Sequence, residues 1–135
     1  MSSEAYSANV ATIEPVAGLD PSGGWLRMSV QFLVDGEHGG AKQTVFGRAI
    51  FHPGGEHQAH RHPNAEEVVY LVRGHGIALN GDEEVELGPG DVAFHPRNEW
   101  HGFRNTSDTE EAEMIWAWIG ASSKQDAGYI LRNPT

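Results

Sequence analysis

Gly54-Gly55-Glu56-His57-Gln58-Ala59-His60-Arg61-His62-Pro63-Asn64-Ala65-Glu66-Glu67 sets two histidines one residue apart and follows them with a pair of carboxylates. Side chains two apart on a strand point the same way, so His60 and His62 present both imidazoles to one point. Pro63 and Asn64 turn the chain, after which Glu67 on the following strand returns to that point. A fourth donor has to come from another hairpin, and His101 is the natural candidate.

The sequence on either side reads as strands. Trp25–Val34 alternates, with Leu26, Met28, Val30, Phe32 and Val34 on one face and Arg27, Ser29 and Gln31 on the other. Gln43–Phe51 supplies the next strand, and Glu67–Val72, rich in β-branched and aromatic residues, is a central one. Ile77–Leu79 and Glu84–Leu87 flank Asn80-Gly81-Asp82, a tight hairpin signal, because Asn and Gly both tolerate positive φ. Asp91–His95, Trp100–Arg104 and Glu113–Ile119 complete the set. No stretch keeps a 3.6-residue apolar period long enough for a major helix. The 17 Gly and 7 Pro between short apolar runs fit an all-β sandwich or barrel. The organisation expected is an N-terminal arm over 1–24 with one short strand at Ala11–Pro15, a barrel over 25–121, and a tail over 122–135 with a short helix.

Composition narrows the chemistry. A chain of 135 residues can bury a core as one domain. The absence of cysteine removes disulfides, thiolate zinc sites and iron–sulfur clusters, so any metal must be held by nitrogen and oxygen. A formal charge of −10 with scattered Lys and Arg argues against nucleic acid. No run approaches the roughly 20 apolar residues of a membrane span, and the start has no leader pattern, so a cytoplasmic location is expected.

Two spacings resemble the paired signatures of the cupin superfamily. Gly54, five residues, His60-x-His62, four residues, Glu67, six residues and Gly74 match the first. Gly90, five residues, Pro96, Asn98, His101 and Asn105 match the second, with Asn98 where the family carries a glycine. Asn tolerates the left-handed conformation that such a turn requires. The short interval from Gly74 to Gly90 is similar to that of small single-domain microbial cupins. The resemblance implies a single cupin-type β-barrel, also described as a double-stranded β-helix or jelly roll. It further implies one divalent metal ion on His60, His62, Glu67 and His101. Three imidazoles and a carboxylate leave two open positions on an octahedral ion and suit Fe(II), Mn(II) or Ni(II), with Zn(II), Co(II) and Cu(II) also compatible.

Further residues are candidates for the pocket. Gln58 shares the parity of His60 and His62, and Phe103 that of His101. Met114, Trp116 and Trp118 share one face of the last strand, where indoles would suit an aromatic or otherwise apolar substrate. Arg48 could reach inward to an anionic group, although a surface role is the plainer reading. His95 stands where cupins usually carry an aliphatic residue, while Glu66 should face away from Glu67.

The function expected from the resemblance is a metal-dependent enzyme acting on a small organic molecule, foremost an oxygenase-type oxidoreductase such as a dioxygenase. The alternatives are a non-oxidative isomerase, lyase or polyketide-type cyclase, and a non-catalytic metabolite-binding module. A homodimer is expected, with residues 1–34 able to supply an arm and an edge strand.

Overall fold

β1 (Trp25–Val34) and β2 (Thr44–Arg61) form the longest antiparallel pair. The computed structural model describes residues 5–133; the first four residues of the arm and the last two of the tail, Pro134 among them, lie outside the described residues. Seven further strands follow: β3 (Glu66–Arg73), β4 (Gly76–Asn80), β5 (Glu83–Leu87), β6 (Val92–His95), β7 (His101–Asn105), β8 (Ala112–Ile119) and β9 (Ile130–Leu131). Among the described residues they make one antiparallel sheet in the order β5-β4-β7-β2-β8-β3-β6, with β1 and β9 both on β2. The sheet curls into a nearly closed barrel, in keeping with the all-β expectation.

β2 does most of the curling. Its first half pairs with β8 through Phe51↔Ala112, and its second half pairs with β7 through His60↔His101. The break falls at Gly54, whose φ of +70° is open to glycine, and at Gly55, where a Cβ would sit 2.3 Å from the Arg27 carbonyl. Gly47 serves packing, since a Cβ there would meet the Trp116 indole at 2.2 Å. The hairpin at Asn80–Glu83 forms as expected, and Asn98 takes the left-handed φ of +66°.

Four local expectations need correcting. Ala11–Pro15 is no strand: the arm makes a 3-10 turn at Val10–Thr12 whose Val10 carbonyl, like that of Ile13, accepts from Gln31 Nε2. That crossing buries Gln31, which the alternation had placed outside. A register shift between Leu26 and Met28, with Arg27 at φ +48°, changes the parity of β1. Trp25 therefore faces the cavity in the place expected for Leu26. The tail does form its helix, α1 (Lys124–Ala127), but then adds β9 to the sheet at His60 and Arg61.

The core and the cavity lie inside the curl. Val45, Ala49 and Phe51 of β2, Val69 and Leu71 of β3, and Met114, Trp116 and Trp118 of β8 are all buried inward. The outward face of β3, β6 and β8 stays apolar and exposed at Tyr70, Val92, Phe94 and Ile119. Among the described residues no helix is long and apolar enough to cross a membrane.

Candidate metal centre

Strand register gathers the four expected donors. His60 and His101 are direct cross-strand partners, and Glu67 on β3 faces Trp118 on one side and His95 on the other. His62 follows the end of β2 and is almost fully buried at 1% exposure. One ligand atom each from His60, His62, Glu67 and His101 lies within 4.8 Å of the others, and all four residues are buried.

Each imidazole is oriented by a backbone carbonyl. Nδ1 of His60 lies 2.7 Å from the Gln58 carbonyl, that of His62 2.7 Å from the Gly128 carbonyl, and that of His101 3.0 Å from the Glu99 carbonyl. A carbonyl only accepts, so each Nδ1 carries the proton and each Nε2 turns a lone pair to the centre. Glu67 is held in the same way: Trp118 Nε1 donates to its Oε1 at 2.7 Å. Nε2 of His62 stands 3.6 Å from Oε1 and Nε2 of His101 3.1 Å from Oε2. Both nitrogens are buried without a hydrogen bond.

Buried lone pairs converging on a carboxylate repel unless a cation lies among them. The donor set therefore fits a divalent metal, with three nitrogens and one oxygen at a spacing that one ion can bridge. The electrostatics show the same demand for positive charge beside Glu67. Burial would raise the Glu67 carboxyl, but His101 and His62 hold it well below the ordinary value. Burial would lower His101, and the Glu67 carboxylate more than reverses this. Burial first, then His57, keeps His60 well below 6.5 and hence neutral.

The centre opens into a cavity of about 450 Å³ with mainly apolar walls. Phe103, Trp116, Trp118 and His95 line it. Arg48 does not: inward positions on β2 are odd-numbered there, and Arg48 lies outside in a pair with Glu113 at 2.7 Å and Gln31 at 2.9 Å. Gln58 is not a cavity residue either, because a register shift between His57 and His60 turns His57 inward in its place. What Gln58 supplies is its carbonyl.

Three cavity residues carried no readable signal. His57 stacks on His60 with ring centroids 3.8 Å apart, and burial pushes it down to about 3. Trp25 stacks on both His57 and Tyr129. Tyr129 donates to the Gly23 carbonyl and so ties the tail to the arm. His95, lowered to about 4 chiefly by burial, stacks on His101 at 4.5 Å, and its Nε2 stands 3.9 Å from Glu67.

Barrel and donor set together define a cupin-type protein, and the chain belongs to the family described as "Cupin domain", whose model matches residues 47–118. Polyketide synthase CurC of Streptomyces cyaneus is 35% identical over 92 residues, which are 67% of this chain and 58% of that protein. An oxalate-binding protein of Thermotoga maritima is 30% identical over 69 residues, 51% of this chain and 57% of that protein. The chain thus spans somewhat more than half the length of these two relatives. Among solved structures, the polyketide cyclase RemF of Streptomyces resistomycificus shares the fold with a TM-score of 0.79 and 19% identity, over 98% of this chain and 88% of that one.

Proposed function

We propose that the chain is a metal-dependent, non-oxidative enzyme of the polyketide-cyclase kind, acting on a bulky, mostly apolar substrate through its oxygen atoms. The observation that carries this reading is the cavity wall. Among its described lining residues the only Lys or Arg is Lys124, at the part-exposed rim, with Nζ 4.6 Å above the Trp25 ring. Beyond the ion held by the four donors, a small dianion such as oxalate would find only Lys124 at the rim to offset its second charge, and its desolvation against aromatic and aliphatic walls would be costly. A planar, oxygen-bearing carbon frame fits the same walls. The names of CurC and RemF support this reading, whereas the oxalate-binding relative favours the other class of substrate.

In this reading His60, His62, Glu67 and His101 hold one divalent ion. When bound, the ion polarises a substrate carbonyl and makes the neighbouring C–H more acidic. The chain's own residues do the rest. Trp116, Trp118 and Phe103 bind the carbon frame and exclude water, Trp118 Nε1 fixes Glu67, and three backbone carbonyls fix the imidazoles. The oxygenase expected from the donor set shares this centre, so oxygen dependence separates the two. Metal-loaded protein with 1-phenylbutane-1,3-dione in D2O should exchange the C2 protons without oxygen, faster than the metal-free protein. Cleavage that requires oxygen, or consumption of oxalate, would overturn the proposal.

The homodimer is part of the same proposal. Strand register puts Tyr70, Val92, Phe94 and Ile119 on one outward face, which supports self-association. A monomeric mass by light scattering would remove it.

A further inference from the structure

His57 borders the cavity yet is not one of the four donors. Its Nε2 lies 3.1 Å from the Tyr129 hydroxyl, and that hydroxyl gives its single proton to the Gly23 carbonyl. The carbonyl can only accept, so the phenol oxygen is left to accept from His57, and the imidazole proton must sit on Nε2. Nδ1 then carries a lone pair, and among the described residues it has no hydrogen-bond partner. The ring is held in place by stacking on His60 at 3.8 Å and on Trp25 at 5.2 Å. Beside the metal centre, therefore, His57 adds a fixed acceptor to a mainly apolar cavity wall.

We infer that His57 is a substrate-binding residue whose Nδ1 accepts a hydrogen bond from a hydroxyl of the molecule that places another oxygen at the four-donor centre. This rests on the function proposed above and narrows its substrate. The substrate carries at least two oxygens on an apolar frame, and one of them is an enol or phenol O–H. An ether oxygen at that position offers no proton and sets lone pair against lone pair, which forfeits the hydrogen bond and leaves a desolvated acceptor unpaired.

Resorcinol and 3-methoxyphenol test this, because they share a ring and a first hydroxyl and differ in the proton of the second oxygen. In protein-observed NMR titrations of the zinc-loaded protein, resorcinol should bind about tenfold more tightly, the worth of one satisfied hydrogen bond. His57→Phe keeps a ring in the stack and removes the acceptor, so the ratio should fall to about one through loss of resorcinol affinity alone. A ratio unchanged in the variant, no preference in the wild type, or no binding of either compound would overturn the inference. Nitrogen-15 imidazole spectra of the metal-free wild type need no variant: His57 protonated on Nε2 is expected, and protonation on Nδ1 would overturn it. A zinc titration run alongside separates the two readings. Failure to take up zinc removes the proposed metal enzyme but leaves the Nδ1 result readable, while zinc uptake without the hydroxyl preference overturns only the role of His57.

Discussion

At the centre of the cavity each histidine rests its Nδ1 on a backbone carbonyl, of Gln58, Gly128 or Glu99. At the rim, His57 rests on a phenol hydroxyl that is itself held by the Gly23 carbonyl. Both arrangements fix a tautomer, but they differ in what fixes it. A main-chain carbonyl cannot be mutated away or turned over without moving the strand, so the centre is as rigid as the barrel. The rim depends on side chains and on the meeting of arm and tail, so it can be altered while the barrel stays. A rigid donor set beside an adjustable wall would keep one chemistry and let the substrate change.

The largest expected effect breaks the centre itself. Replacing both His60 and His62 with Ala should abolish stoichiometric metal, measured by plasma mass spectrometry, while circular dichroism still reports a folded barrel. Metal retained at one equivalent would show that these imidazoles are not the ligands. Glu67→Gln should weaken binding less, since the neutral amide still offers an oxygen but no longer offsets the ion's charge.

Trp118→Phe probes the same centre one contact further out. It keeps an aromatic wall and removes the donor to Glu67 Oε1. Loss of a group that orients a ligand typically costs about 10–100-fold in metal affinity, and that is the expected fall. An unchanged affinity in a competition titration would mean that β3 alone holds the carboxylate.

The centre and its bystanders should also separate with pH in the metal-free protein. His57, His60 and His95 are all depressed by burial from an ordinary 6.5. Below 6.5 the unfolded chain binds protons that the fold refuses, so stability falls as pH falls. Each of the three contributes a slope of at most about 1.4 kcal/mol per pH unit. His101 is raised and acts oppositely: its contribution is present below 6.5 and is lost as pH rises through its folded value. The depressed Glu67 contributes above 4.5 and loses that contribution as pH falls through its folded value. Three depressed histidines outweigh one raised, so denaturant midpoints should drop on acidification from pH 7 to pH 5, and a flat profile would contradict the burial that defines the cavity.

The same division explains what could be read from the sequence. His60, His62, Glu67 and His101 were legible because strand period and hairpin turns convert spacing into direction, and Asn98 kept the turn geometry that the spacing needs. Parity failed where a register shift intervened. The shift between His57 and His60 exchanged Gln58 for His57, and the one at Arg27 brought Trp25 inward. Bulges depend on local twist and on partner strands, so no residue type announces them. Arg48 followed simple parity, but to the outside, because the inward positions of this part of β2 belong to Val45, Gly47, Ala49 and Phe51. The carbonyls of Gln58, Gly128 and Glu99 and the docking of Tyr129 were unreadable, since main-chain acceptors have no composition and a two-residue strand such as β9 has no period.

The smallest expected effect is the one that decides whether rim and centre are separate at all. Tyr129→Phe keeps the stack on Trp25 and removes the hydroxyl between His57 and Gly23. The His57 Nε2–H and the Gly23 carbonyl each lose a partner, which should cost about 1–3 kcal/mol of stability if both stay dry and less if water enters. Metal affinity should stay within about twofold of wild type, because the three carbonyls that orient the ligands are untouched. His57 and His60 do share a stack at 3.8 Å, so a path for coupling exists. A drop in metal affinity comparable to that of Trp118→Phe would show that the stack, and not the carbonyls alone, sets the pose of His60. The distinction between a rigid centre and an adjustable rim would then give way to a single unit running from Gly23 through Tyr129 and His57 to His60.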